Sequence, residues 1–198
     1  MDIVEEIKVC AMDLSVPIMK DETRDVLLSC IRSFPCRKIL EIGAGIGYSG
    51  TLMLRSLPEA FLTTIEIDAF SAEIAGRFFE KAGLAKRVRL IEGDVTEIIT
   101  MMDARFDFIF LDGPKGQYEH LRPYLINLLD DGGVIFADNV LFKGYVSDYY
   151  IRHKHRTIVN SLRAFIDNMK NAEGFVSELL DTGDGIMISK KTAAISHE

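Results

Sequence analysis

The sequence has no tryptophan, five prolines and only three cysteines, Cys10, Cys30 and Cys36, among its 198 residues. The cysteines form no C-x-x-C pair and are odd in number, so they read as buried thiols of a reducing cytoplasm rather than a disulfide or zinc framework. No apolar run approaches the ~18 residues that a membrane span needs. The opening MDIVEEIKVC is acidic where a signal peptide is basic. Repeats, linkers and low-complexity tracts are also missing. Cations are in short supply, with 23 Lys and Arg against 30 Asp and Glu and a net charge of −7. That balance argues against a chain that coats nucleic acid along its length, while leaving room for a local basic patch.

What is present is a globular composition, 48% hydrophobic and 27% charged. A domain of this length buries roughly 70% of its unfolded surface, so residues 1–198 are expected to form one domain. Residues 1–36 read as two amphipathic helices, with Ile3, Ile7, Ala11 and Leu14 on one face and Val26, Leu27, Ile31 and Phe34 on another after a cap at Asp21. The apolar loop Val16-Pro17-Ile18-Met19 joins them.

From residue 37 onwards the pattern is α/β. Apolar strands at Lys38–Ile42, Phe61–Ile67, Arg87–Ile91, Phe106–Leu111 and Gly133–Ala137 alternate with helices near 48–57, 69–82, 95–102 and 117–129. Such alternation predicts a Rossmann-like parallel sheet covered by helices on both faces. A longer helix is expected from Tyr150 to Lys170. The closing strands Phe175–Leu180 and Ile186–Ser189 are joined by Asp181-Thr182-Gly183-Asp184-Gly185, too short for a crossover, so they form an antiparallel hairpin. Five parallel strands plus a terminal hairpin make a mostly parallel seven-stranded sheet. This is the order of class I methyltransferases, whereas a nicotinamide-binding fold keeps a sixth parallel strand.

Strand one runs into Glu41-Ile42-Gly43-Ala44-Gly45-Ile46-Gly47-Tyr48-Ser49. Glycines at a strand-to-helix turn let the backbone approach a ligand, and the helix start offers free N–H groups. Strand two ends at Glu66, placed to accept the two hydroxyls of an adenosine ribose. A dinucleotide and S-adenosylmethionine (SAM) both fit this pairing. Gly45-Gly47-Gly50 matches G-x-G-x-x-G literally but sits two residues late, and from Gly43 the third position is Tyr48. SAM has no pyrophosphate, and Glu41 before the glycines suits a cationic ligand.

Strand four ends in Asp112-Gly113-Pro114-Lys115 and strand five in Asp138-Asn139. Ligands of open α/β sheets sit beyond these strand ends. Asp112, Asp138 and Asn139 form an all-oxygen donor set that suits Mg2+, Ca2+ or Mn2+ rather than zinc. Lys115, three residues from Asp112, is placed to accept a proton. The same acids could instead cap helices, with Lys115 solvated.

Together these motifs resemble the metal-dependent class I O-methyltransferases of catechol and caffeoyl-CoA, and are most similar to the bacterial branch that methylates 5-hydroxyuridine in tRNA. The likeness runs from Val16–Met19 through Glu41–Ser49, Thr64–Glu66, Gly93-Asp94 and Asp112–Tyr118 to Asp138–Gly144, Gly183–Gly185 and Ser189–Lys191. It implies that SAM contacts Met19, Gly43, Ser49, Glu66, Asp94 and Val95, with Asp112 near its sulfonium end. It also implies that Asp112, Asp138 and Asn139 hold a divalent cation, that Lys115 is the base, and that the protein is a cytoplasmic homodimer. Departures are Ala44-Gly45 where relatives have Thr-Ala, Gly113-Pro114 where they have Ala-Ala, and a shorter N-terminal region. Proline restricts itself and the residue before it, and so bears on the reach of Lys115.

The expected activity is therefore O-methylation of a hydroxyl with a vicinal oxygen. A catechol provides that pair, and so does 5-hydroxyuracil through O4 and O5. Lys143, Arg152, Lys154, Arg156 and Arg163, with only Asp148 as a counter-charge, form a candidate phosphate-contacting patch. A solvated helix face would look the same. The other classes are a NAD-dependent oxidoreductase, resting on the displaced glycine match, and a SAM-binding protein without turnover, which the presence of Asp112, Lys115, Asp138 and Asn139 argues against.

Overall fold

Helix α1 (Ile3–Leu14) starts at Asp2, whose carboxylate accepts the Val4 N–H at 3.3 Å, and stops at Ser15 in the left-handed conformation. It buries Ile7 and Ala11, while Leu14 at the end of the same face stays partly exposed. Helix α2 (Asp21–Arg32) buries Thr23, Leu27 and Ile31. Its cap is Lys20 and not Asp21. Asp21 is the first helical residue, where a negative charge favours the helix dipole, and it pairs with Arg24 at 2.6 Å.

This computed structural model describes residues 1–148 and 151–192. Its seven strands form one mixed sheet in the order β3-β2-β1-β4-β5-β7-β6. The chain divides into two compact units, residues 1–101 and 102–198.

In the first unit β1 (Lys38–Ile42), β2 (Phe61–Glu66) and β3 (Val88–Glu92) run parallel, with Ile39 opposite Leu62 and Ile65 opposite Ile91. Helices α3 (Tyr48–Ser56), α4 (Ala69–Lys81) and the short α5 (Val95–Ile98) follow them in turn. The helix expected over 95–102 is thus one turn of α-helix continued by a 3-10 turn at Ile99–Met101.

In the second unit β4 (Phe106–Leu111) pairs in parallel with β5 (Leu129–Asp138), and β7 (Ile186–Lys191) runs antiparallel to both β5 and β6 (Phe175–Leu180). Helices α6 (Tyr118–Leu128) and α7 (Arg156–Lys170) belong to this unit. Strand β5 starts four residues before the expected Gly133. The register against β4 shifts between Phe106 and Phe108, and a Cβ at Gly133 would stand 2.8 Å from the Asp107 carbonyl, so only glycine fits that irregularity. The rings of Phe108, Phe110 and Phe136 form the buried centre of this unit, with centroids 5.7–6.2 Å apart. The expected helix start at Tyr150 lies outside the described residues. Among those described, a 3-10 turn at His153–His155 precedes α7.

Cys36 is buried as expected, but Cys10 and Cys30 are half-exposed. Among the described residues no helix is long and apolar enough to cross a membrane.

Candidate active site

The first cluster lies at the carboxyl ends of β1 and β2. After Ile42 the chain passes through Gly43, Gly45 and Gly47 at φ of +95°, +51° and +87°, conformations that side-chain-bearing residues rarely adopt. The N–H groups of Gly43 and Ala44 both donate to the Ile65 carbonyl, at 3.0 and 3.2 Å, folding the loop against β2. Glu66 fastens it from the side. Its Oε2 accepts the Gly45 N–H at 2.7 Å and its Oε1 accepts the Asp68 N–H at 2.9 Å. Each oxygen of an ionised carboxylate can accept twice, so acceptor capacity remains for two ribose hydroxyls.

The literal glycine match has a packing explanation. Gly50, inside α3, would place a Cβ 2.7 Å from Leu62 Cδ2 and 3.0 Å from Phe79 Cζ. Its smallness seats α3 on β2 and α4, which is a requirement of the helix packing and not of a pyrophosphate.

Glu41, expected against the cofactor, is 0% exposed. Its Oε1 accepts the Ser49 hydroxyl and its Oε2 accepts the Thr64 hydroxyl at 2.6 Å. In this conformation the carboxylate is turned into the fold, linking β1, α3 and β2 beneath the glycine loop. Met19, Ser49 and Val95 are all buried. Asp94 caps α5 through Oδ1, which accepts the Thr96 hydroxyl and N–H, both at 2.8 Å. Those bonds, the hydroxyl's first, hold its carboxyl below the ordinary carboxylate range.

The second cluster lies at the carboxyl ends of β4 and β5, where the strands part after the pairing of Leu111 with Ala137. Asp112, Lys115, Asp138 and Asn139 come together there. Lys115 Nζ stands 3.5 Å from Asp112 Oδ1, and Asn139 Nδ2 donates to the same oxygen at 3.3 Å. Pro114 therefore does not carry Lys115 away from Asp112. Asp138 is 2% exposed, and its Oδ1 accepts the Asn139 N–H at 2.7 Å. Burial, then repulsion from Asp112, pushes the Asp138 carboxyl up to about 7. Burial also raises Asp112, against the pull of Lys115. Two carboxylates in a desolvated crevice, with Asp112 raising Asp138, are short of positive charge, which a divalent cation would supply. Two carboxylates and an amide fit Mg2+ in donor chemistry. Among the described residues no group of three or more His, Cys, Asp or Glu side chains forms a metal cluster, so this set depends on the amide of Asn139.

Asn139 itself is left-handed at φ +60°, as are Phe142 and Lys143 at +46° and +57°. Two neighbours hold this turn. The N–H groups of Val140 and Leu141 donate to the carbonyls of Gly185 and Asp184 at 3.0 and 2.9 Å. Tyr118, wholly buried, donates its hydroxyl to the carbonyls of Leu111 and Asp138 at 3.1 and 3.0 Å.

Four of the five expected phosphate-contacting cations, Lys143, Arg152, Lys154 and Arg156, are exposed. Arg163 is not available in the same way. Its guanidinium is spent on the carbonyls of Val146, at 2.9 Å, and Asp148. His155 stacks on Tyr145 with centroids 5.0 Å apart, and Phe142 meets both rings.

Residues 2–192 match the family described as O-methyltransferase. The chain belongs to that family. It is 31% identical over 140 residues to a caffeoyl-CoA O-methyltransferase of Populus kitakamiensis, covering 68% of this chain and 58% of that protein. It is 34% identical over 146 residues to the catechol O-methyltransferase of Bos taurus, covering 69% of this chain and 53% of that one. The matched region thus spans less than two thirds of either relative. The structure of an O-methyltransferase from Bacillus cereus in complex with SAH superposes with a TM-score of 0.88 at 25% identity, covering 97% of this chain and 92% of that one.

Proposed function

We propose that this protein transfers the methyl group of SAM to a hydroxyl that has a vicinal oxygen, with a divalent cation, Mg2+, held by Asp112, Asp138 and Asn139. The observation that carries the reading is the second cluster, where the buried carboxylate of Asp138, the half-buried one of Asp112, an amide and a lysine meet at the ends of β4 and β5. Family membership supports the reaction, and the SAH complex of the Bacillus cereus relative supports the methyl donor.

When bound, the cation lowers the pKa of an acceptor hydroxyl and gathers its vicinal oxygen. The protein's residues divide the remaining tasks. Glu66 accepts the ribose hydroxyls of SAM while holding the Gly43–Gly47 loop, with Asp94, Val95, Met19 and Ser49 completing the cofactor site. Glu41 supports that loop from beneath. Lys115 Nζ removes the acceptor proton. Asp112, whose Oδ1 lies 3.5 Å from Nζ, orients Lys115, and positioning supplies much of the rate.

For the acceptor, we propose 5-hydroxyuridine in tRNA. The exposed cations Lys143, Arg152, Lys154 and Arg156, on an otherwise acidic chain, support this reading over a small catechol. The test is methyl transfer from SAM, with Mg2+, to tRNA containing 5-hydroxyuridine and separately to catechol, followed by mass spectrometry. Methylated tRNA is the expected result. Methylation of catechol alone overturns the tRNA reading, and methylation of neither overturns the activity.

A further inference from the structure

Where two parallel strands part, their last carbonyls lose their ladder partners and need donors from elsewhere. At the ends of β4 and β5 a single hydroxyl meets both needs. Tyr118, the first residue of α6, lies 0% exposed with its Oη 3.1 Å from the Leu111 carbonyl and 3.0 Å from the Asp138 carbonyl. The residue after Leu111 is Asp112. The residue after Asp138 is Asn139, and Asp138 carries its own carboxylate into the same crevice. One phenol thus spans the two backbone arms from which every oxygen of the second cluster projects. Phe165 of α7 packs edge-on against the ring with centroids 5.6 Å apart, a contact separate from the two hydrogen bonds.

We propose that Tyr118 is a positioning residue that sets the spacing between the Asp112 arm and the Asp138–Asn139 arm for a divalent cation. The inference rests on the metal reading given above. A phenol has one proton to share between two carbonyls, so the bond holds the arms only while both stay near 3 Å from the oxygen. Without it the two carbonyls, buried and short of a donor, repel one another and recruit water, and the arms spread. Groups that orient metal ligands from behind typically contribute 10- to 100-fold in metal affinity. The phenol bonds the Leu111 and Asp138 carbonyls and not Gly43, Glu66 or Asp94, so SAM affinity is expected to fall far less than metal affinity.

The experiment measures Mn2+ binding to the full chain by the loss of its free-ion electron paramagnetic resonance signal, with SAM binding measured by calorimetry. Tyr118→Phe keeps the ring and removes the hydroxyl. It is expected to weaken Mn2+ binding by about tenfold or more, to leave SAM binding within about twofold, and to regain activity as metal is added in excess. Metal rescue is the part that a merely structural role would not produce. Phe165→Leu, which loosens the ring but keeps the hydroxyl, is expected to bind Mn2+ as the wild type does, and it tests the proposal even if Tyr118→Phe does not fold. A folded Tyr118→Phe with wild-type Mn2+ affinity overturns the proposal, as does an equal loss in Phe165→Leu. A wild type that binds no Mn2+ overturns the metal reading itself, and the proposal with it.

Discussion

The carboxylate of Glu66, at the end of β2, accepts the backbone N–H of Gly45 at 2.7 Å. The acid expected at a ribose is therefore also the side chain that holds the glycine loop in place. On the proposed reading, removing it takes away the charged acceptor of the ribose together with the anchor of the loop. Charge-assisted hydrogen bonds contribute about 1.5–3 kcal/mol, so Glu66→Ala is expected to weaken SAM binding about ten- to a hundredfold. Calorimetry reads this directly, and an unchanged dissociation constant would place the cofactor elsewhere.

Glu41 is expected to behave differently, because it touches Ser49 and Thr64 inside the fold. Glu41→Ala strands two buried hydroxyls, at a cost of about 2 kcal/mol or more. For a chain of this size that corresponds to a Tm lower by about 4–8 °C. SAM affinity is expected to fall less than in Glu66→Ala. Differential scanning calorimetry beside the binding titration separates the two acids, and the opposite ranking would return Glu41 to the cofactor.

These two acids show how far the sequence could be read. A strand-terminal acid and a glycine turn are local signals, and they located Glu66, Asp112 and Asp138 correctly at the ends of β2, β4 and β5. Glu41 sits one residue before the end of β1, where alternation turns its side chain away from its neighbours. Its partner Thr64 is directly opposite it in the register, a pairing that becomes visible only once the strands are aligned. The same limit hid Tyr118, whose hydroxyl reaches carbonyls 7 and 20 residues away. It also hid Arg163, which reads as a free surface cation until the turn before α7 folds onto it. The boundaries of β5 were missed because Gly132 and Gly133 look like a turn, yet they form an irregularity within the strand.

Gly185 sits at φ +84°, and a Cβ there would lie 2.3 Å from Leu141 Cγ. Gly185→Ala is expected to destabilise the protein by about 1–3 kcal/mol through strain at that φ and through crowding. Leu141→Ala in the same chain should recover the crowding part and not the strain. A double-mutant cycle by urea denaturation gives the coupling, and strict additivity would mean that the two residues do not meet.

The metal-free protein should be sensitive to pH through Asp138. Its carboxyl is pushed from 3.8 to about 7 in the fold, so the folded state keeps a proton that the unfolded chain gives up. Stability from this group is therefore greatest below about pH 4 and is lost as pH rises towards about 7. In chelator, the Tm of the wild type is expected to fall over that window relative to Asp138→Asn, and added Mg2+ should restore it. Parallel profiles for the two proteins would contradict the assignment.

The exposed cations and the bonded one make opposite predictions. Alanine at Arg152, Lys154 and Arg156 should leave Tm and catechol methylation unchanged while flattening the salt dependence of tRNA binding. Arg163→Ala should lower Tm, because the carbonyls of Val146 and Asp148 lose their donor. Equal losses on both substrates in the triple variant would mark a structural segment.

The measurement closest to the centre of this account is titration of Mg2+ into the wild type, Asp138→Ala and Asn139→Ala, with SAM binding and methyl transfer followed on the same samples. The wild type is expected to bind Mg2+ and to lose activity in excess chelator. Both variants should lose metal and turnover while binding SAM as before. Full methyl transfer in excess chelator would contradict the role assigned to Asp112, Asp138 and Asn139.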